Sequence, residues 1–375
     1  MIALQKLPSK HPYFVNSFLY KRLSIFFIKL FNWEYWSFNC IYMPIYFYWI
    51  YLCIKAKSLF FFSASNPTIE NGGFLMEKKS DVYQLIPPEY YPKTILIKTG
   101  CTKNYIEDII NEHSFCFPLI IKPDIGGKGR GVKKVNSMHE AVAYLQRSNF
   151  AMLVQDLVPY KNEVGIFYYK LPWQQKGKIS GIVYKEFLTV CGDGINTIEA
   201  ILIKNNRGVI HLATLKNTNE INFSQVLDNG TEKVLVPFGN HARGCKFIDA
   251  SHLITPALED AIDNICKQIN GFYYGRLDVM YKNWADMEEG KNISIIELNG
   301  AGSEPTHMYD PAHSIFFAWK EIIKHWILLY KISVYNKAKN NGSFLNFKAG
   351  IKMFRDAGST EKKLDQLVYK NKFLR

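Results

Sequence analysis

Tyr274-Gly275-Arg276-Leu277-Asp278-Val279-Met280-Tyr281 is answered, after a polar connector from Lys282 to Asn292, by Ile293-Ser294-Ile295-Ile296-Glu297-Leu298-Asn299-Gly300. Both runs are rich in β-branched and aromatic residues and read as the two strands of a hairpin. Side chains alternate between the faces of a strand, so Arg276 and Asp278 share one face, and Glu297 and Asn299 share one face of the answering strand. If these faces coincide, two carboxylates, an amide oxygen and a guanidinium converge. Hard oxygen donors of that kind suit magnesium, and the guanidinium suits phosphate. A solvated salt-bridged pair is the plainer reading of Asp278 and Glu297, but the strands are too apolar for a hairpin bathed in water.

A second stretch lies upstream: Phe117-Pro118-Leu119-Ile120-Ile121-Lys122-Pro123-Asp124-Ile125-Gly126-Gly127-Lys128-Gly129-Arg130-Gly131-Val132. An apolar strand ends on a lysine and enters a loop with four glycines in six residues. Glycines let a backbone approach phosphate and aim its N–H groups at the anion, while Lys122, Lys128 and Arg130 add charge. No Gly-Lys-Ser/Thr closes the loop as in a Walker A motif, and Val132 stands where a dinucleotide fingerprint needs its third glycine. Taken alone, the loop also reads as a flexible basic turn.

Together, in this order and spacing, the two stretches resemble the ATP-grasp superfamily, in particular its D-alanine–D-alanine ligase-like and cyanophycin synthetase-like carboxylate–amine ligases. The resemblance implies an α+β fold in which two α/β lobes clasp ATP. It implies that Lys122 and the glycine loop (Gly126, Gly127, Lys128, Gly129, Arg130, Gly131) contact the nucleotide, with Lys79 as an earlier lysine and Lys78 as its alternate. The adenine would lie against a hinge at Gln155, Asp156, Leu157 and Val158, with Glu163 as the ribose-binding acid. Asp278, Glu297 and Asn299 match the metal pattern, and Arg276 and Lys185 match phosphate-contacting residues. The cofactors implied are ATP and Mg2+, or Mn2+ in its place. Substrate contacts fall on Ser303, Glu304 and His307 after the metal strand, and on Arg243 in a separate polar loop. The segment from Val190 to Leu202 is similar to the cyanophycin synthetase branch.

The chemistry implied is transfer of the ATP γ-phosphoryl group to a carboxylate, followed by attack of an amine on the acylphosphate. The products are an amide or peptide bond, ADP and phosphate. The substrates are a small carboxylate and an amine, each an amino acid or peptide. Two other readings stay open: an enzyme of this fold acting on a cell-envelope or peptide-tail acceptor, and a membrane-tethered ATP-binding module without turnover. The resemblance covers the catalytic core only. The first ninety residues lack the strand–glycine–helix rhythm of the ligases' N-terminal domain.

Composition agrees. A chain of 375 residues accommodates more than one lobe. Its net charge of +13 favours anionic partners, but no zinc spacing, RNA-binding aromatic motif or basic zipper points to nucleic acid. Seven scattered cysteines without Cys-x-x-Cys spacing suggest reduced thiols and a cytoplasmic setting.

Three regions are expected. Residues 1–65 are aromatic, and from Tyr35 to Ile54 no residue is charged. That length could span a bilayer, yet Asn39, Pro44 and the many Tyr and Trp residues favour a membrane surface or packing on the body. A cytoplasmic protein, peripheral to or anchored in the membrane through 35–54, is the corresponding expectation. The run begins too late and is too aromatic for a signal peptide. Residues 66–330 form the catalytic domain, with a smaller lobe over about 88–155 and a larger one over about 156–330. Residues 331–375 are a basic tail.

Overall fold

A computed structural model of the chain describes residues 18–127, 129–216, 221–236, 239, 241–339 and 342–370. The chain opens with helices α1 (Phe18–Phe31), α2 (Phe38–Tyr42), α3 (Tyr46–Ala56) and α4 (Lys79–Leu85), then strand β1 (Thr94–Ile97) and helix α5 (Lys103–Glu112). Strands β2 (Leu119–Pro123) and β3 (Lys133–Val135), helix α6 (Met138–Arg147) and strand β4 (Met152–Asp156) follow. Next come β5 (Asn162–Tyr169), β6 (Lys178–Glu186), β7 (Leu188–Cys191), α7 (Ile198–Ile203), α8 (Asn206–Lys216), β8 (Glu232–Val236) and β9 (Lys246–Asp249). The chain continues through α9 (Pro256–Gln268), β10 (Tyr274–Tyr281), α10 (Trp284–Glu288), β11 (Ile293–Asn299), α11 (Ile315–Lys339) and α12 (Phe347–Lys370).

The chain divides into two compact units. One comprises residues up to Ile41 with Leu188–Leu235; the other comprises Tyr42–Phe187 with Val236–Arg375. The larger unit holds two sheets, one of four strands in the order β1-β4-β2-β3 and one of five in the order β11-β10-β5-β6-β9. This is the α+β organisation of two α/β lobes with a helical N-terminal extension that the sequence leads one to expect.

Local chemistry explains the helix positions. Ser137 and Thr255 each accept a hydrogen bond from the backbone three residues on, capping α6 and α9, and Pro256 occupies the first position of α9, where its missing N–H costs nothing. The apolar stripes then face inward. Ala141, Val142 and Leu145 of α6 join Ile97, Leu119, Ile121 and Val154 in the core of the four-stranded lobe. Leu258, Ile262, Ile265 and Cys266 of α9 cover Ile166, Ile182, Leu277 and Val279 of the five-stranded sheet. Such stripes, at helical spacing, supply most of a helix's stability.

Strand β6 ends at Glu186 and β7 begins at Leu188, in the other unit. The uncharged run 35–54 is not a continuous helix. It is broken into α2, a one-turn helix holding Pro44, and α3, and among the described residues no helix is long and apolar enough to cross a membrane. Pro44 lacks the N–H and clashes with the preceding turn, so the break falls there. The basic region after Lys331 is not a separate tail either. α11 runs through it with Ile332, Ser333 and Asn336 buried, and α12 buries Met353, Leu364 and Leu367.

The smaller unit pairs β7 with β8 beside α7 and α8. Its buried Glu34 and Arg207 form an ion pair of 2.6 Å, and the Arg207 guanidinium also lies 5.4 Å from the centre of the Tyr35 ring.

Candidate active site

The hairpin pairs Arg276 with Asn299 and Asp278 with Glu297, so all four belong to one face. Between Asp278 and Val279 the register slips, leaving Ile296 as an extra residue in β11. A bulge of this kind turns a backbone group out of the ladder. The Ile296 carbonyl accepts hydrogen bonds from Lys122 Nζ (3.0 Å) and from the Tyr83 hydroxyl. Through that carbonyl, the end of β2 in one lobe meets β11 in the other.

Lys122 is buried, and its ammonium also donates to Tyr83 Oη and to Gln155 Oε1, each at 2.9 Å. Burial, with Lys79 nearby, pushes Lys122 down to about 7 despite the opposing pull of Glu297. Gln155 is itself fixed by donating to Thr94 Oγ1 at 2.7 Å. Of the other hinge residues, Asp156 lies 3.7 Å from Lys93, and Leu157 is exposed.

Lys79, at the start of α4, donates at 2.8 Å to both the Gly126 carbonyl and Glu297 Oε1. Burial pulls this lysine down, but Glu297 outweighs it and the ammonium is held above its usual range. Asp124 fastens the same turn: its carboxylate accepts from Ser80 N (2.8 Å) and Ser80 Oγ (3.0 Å), and its carbonyl accepts from Lys79 N. Lys79 and Tyr83 are four residues apart, so both reach the same face of α4.

On β10, Arg276 Nε donates to Asp278 Oδ1 at 2.8 Å, and Arg276 Nη2 reaches Asp278 Oδ2 at 3.3 Å. Lys185 on β6 donates to Glu163 Oε1 at 2.6 Å and lies 3.1 Å from Asp278 Oδ2. Small residues make this packing fit. A Cβ on Gly165 would lie 3.2 Å from Asp278 Oδ1, and one on Gly239 would lie 2.3 Å from Lys185 Cδ. Burial alone would raise Asp278, but Arg276 and Lys185 hold it low; Glu297 is held low by Lys79 against burial and Asp278. Both acids are therefore ionised at neutral pH.

Two carboxylates and an amide make a hard oxygen set that fits magnesium. Asn299 Nδ2 is buried without a hydrogen-bond partner among the described residues, so this amide is not fully used by its own fold. Among the described residues no group of three or more His, Cys, Asp and Glu is arranged to hold a metal ion.

The glycine loop has left-handed backbone at Gly129 (φ 66°) and Gly131 (φ 68°). Lys128 lies outside the described residues. Helix α12 packs on this loop, a contact with no counterpart in the sequence reading. Leu364 is buried there, and a Cβ on Gly126 would fall 2.6 Å from its Cδ1. Arg130 pairs with Glu361 (3.3 Å) and Asp365 (3.5 Å) of the same helix.

The loop after β11 lies against the Gly72–Gly73 segment, with Ala301 N donating to Gly72 O (3.0 Å) and Gly302 N to Gly73 O (2.9 Å). Ser303 Oγ turns back to the carbonyls of Asn299 (2.8 Å) and Gly300 (2.7 Å). Glu304 Oε1 accepts from the hydroxyls of Tyr42 (2.6 Å) and Tyr309 (3.1 Å). Tyr42, from the aromatic N-terminal region, was not legible as a partner of this loop. His307 is buried, with Nε2 3.4 Å from Glu321 Oε2. Hydrogen bonds from His307 and Lys324 overcome burial and hold Glu321 down at about 2. Burial, then His307, pushes His325 down to about 3. Arg243 is half-buried in a one-turn helix before β9.

No family model and no curated protein matches the chain. Solved structures similar to it include a bifunctional glutathione synthetase from Pasteurella multocida, at 13% identity over 71% of this chain and 36% of that one, with a TM-score of 0.39. The VanG D-Ala:D-Ser ligase from Enterococcus faecalis is 15% identical over 68% of this chain and 61% of its own, with a TM-score of 0.39. The D-alanine–D-alanine ligase from Coxiella burnetii is 11% identical over 70% and 58%, again with a TM-score of 0.39. The chain thus spans between about a third and three fifths of the length of these proteins.

Proposed function

We propose that this chain is an ATP-dependent carboxylate–amine ligase of the ATP-grasp type. One observation carries the reading: Lys79, Lys122, Lys185 and Arg276 converge from four elements on a face that also presents Asp278, Glu297 and Asn299. A structural salt-bridge network has no need of a glycine-rich loop held at the same lysine through the Gly126 carbonyl.

Asp278, Glu297 and Asn299 would hold Mg2+, which when bound offsets the charge of the ATP phosphates. The chain's own cations do the remaining electrostatic work. Arg276 and Lys79 now rest on the two carboxylates that would face the metal. An arriving nucleotide offers them phosphate oxygens instead, so they are poised without leaving a buried charge unpaired. A substrate carboxylate oxygen attacks the γ-phosphorus and ADP leaves. An amine then attacks the acyl carbon, the C–N bond forms, phosphate departs and the amine proton is lost. The lobes must exclude water while the acylphosphate exists. Glu304, fixed by Tyr42 and Tyr309, is the acid on the loop after the metal strand that would receive an ammonium group. The N-terminal aromatic region would then do part of what a separate substrate domain does in the ligases this chain resembles.

The test is ADP release from Mg-ATP with pooled amino acids and dipeptides, with Glu297→Ala as control. Release that needs both a carboxylate and an amine, and is lost in the variant, supports the ligase. Release that persists in the variant, or tight Mg-ATP binding without release for any pool, overturns it.

A further inference from the structure

Among the described residues, helix α3 turns one face inward and leaves the other exposed. Leu52, Cys53 and Ala56 are buried, and Trp49 packs 4.8 Å from the ring of Phe61 and 5.2 Å from Trp326. On the outer face Phe47, Ile50, Tyr51 and Ile54 recur at helical spacing and are 67%, 56%, 50% and 71% exposed, and Met43 in the one-turn helix before α3 is 71% exposed. Buried Phe60 leads from α3 to a second exposed apolar group. Leu59 is 55% exposed, and Phe60 beside it lies 6.3 Å from the ring of Phe347 and 6.4 Å from that of Phe354 in α12. Phe347, Ile351 and Phe354 are themselves exposed, at i, i+4 and i+7. Large apolar side chains left exposed together in this way mark a binding face.

Charge selects the occupant. No Asp or Glu occurs between Tyr35 and Phe62. Lys55 and Lys57 are exposed at the end of α3, and Lys348, Lys352 and Arg355 are exposed among the apolar residues of α12, with Asp356 beside Lys352 at 2.6 Å. Long cationic side chains beside bulky apolar ones suit a lipid interface, with stems in the acyl boundary and heads among phosphates. Tyr46 and Tyr51 belong to the residue type that favours that depth. At 11 residues α3 is far too short to span a bilayer. We infer that α3 and the first half of α12 lie in the surface of an anionic membrane, holding the chain at the bilayer face. This inference is independent of the ligase reading.

The experiment is co-sedimentation of the full chain with vesicles of phosphatidylcholine alone and of phosphatidylcholine with phosphatidylglycerol, at low and high salt. Wild type and the exposed double variant Phe47→Asp/Ile54→Asp are compared, with thermal melting to confirm that both fold. Expected is partitioning to the anionic vesicles that weakens at high salt and drops at least tenfold in the double variant. Equal partitioning of the two proteins, or no partitioning, overturns the inference. So does a wild-type dimer in sedimentation equilibrium that the double variant abolishes, because the face would then belong to a second copy.

Discussion

Lys122 is the group whose protonation the nucleotide should control. Folded, it is pushed down to about 7 from 10.5, chiefly by burial. At pH 8 about nine-tenths of it is therefore neutral before ATP arrives, by proton linkage. A polyphosphate beside it favours the charged form, so binding at pH 8 should draw in about 0.9 proton. Calorimetric titration with Mg-ATP in two buffers of different ionisation enthalpy measures that uptake directly. Lys122→Arg keeps a cation at all accessible pH and should abolish the uptake while retaining measurable binding. Stability gives a second reading. The unfolded lysine holds its proton between pH 7 and 10.5 while the folded one has lost it, so this group makes stability rise with pH across that window. The advantage of wild type over Lys122→Arg should therefore grow by roughly 2 kcal/mol between pH 7 and 9 in denaturant melts. Proton uptake that survives in Lys122→Arg, or no uptake in wild type, would refute the assignment of Lys122 to the nucleotide.

Other perturbations read other parts of the site. Asp278→Asn removes one of the carboxylates proposed to hold Mg2+ and leaves Arg276 and Lys185 facing a neutral amide, so it should weaken Mg2+ binding and also destabilise the fold by about 3–5 kcal/mol, checked by urea melts. Leu364→Ala removes the buried side chain that seats α12 on the glycine loop. It should cost about 2–5 kcal/mol and raise the ATP KM more than it changes kcat, read in steady-state kinetics. Tyr42→Phe deletes one of the two hydroxyls that hold Glu304 and should raise the amine KM several-fold while leaving Mg-ATP affinity unchanged.

The hairpin was legible because period-two alternation puts Arg276 with Asp278 and Glu297 with Asn299, and register then needs only the turn. The slip at Ile296 was not, since a bulge is one extra residue with no composition of its own, yet it frees the carbonyl that Lys122 and Tyr83 share. Helices α6 and α9 carry their signals locally, in the caps Ser137 and Thr255 and in apolar residues at helical spacing. Tyr83 stood four residues after Lys79 and could have been found once α4 was recognised as a helix. Tyr42 and Glu304 lie 262 residues apart, and nothing local in either segment signals the other. Helix α12 read as a basic tail because Leu364 and Leu367 are sparse among lysines; only the glycine loop they cover explains their burial.

The most direct measurement is ATP binding by the intact chain, with Mg2+ and with the metal chelated, in wild type and in Glu297→Gln. Saturable binding that needs Mg2+ and weakens at least tenfold in the variant is expected. Absence of ATP binding, or binding indifferent to both metal and substitution, would contradict a nucleotide site at the β10–β11 hairpin.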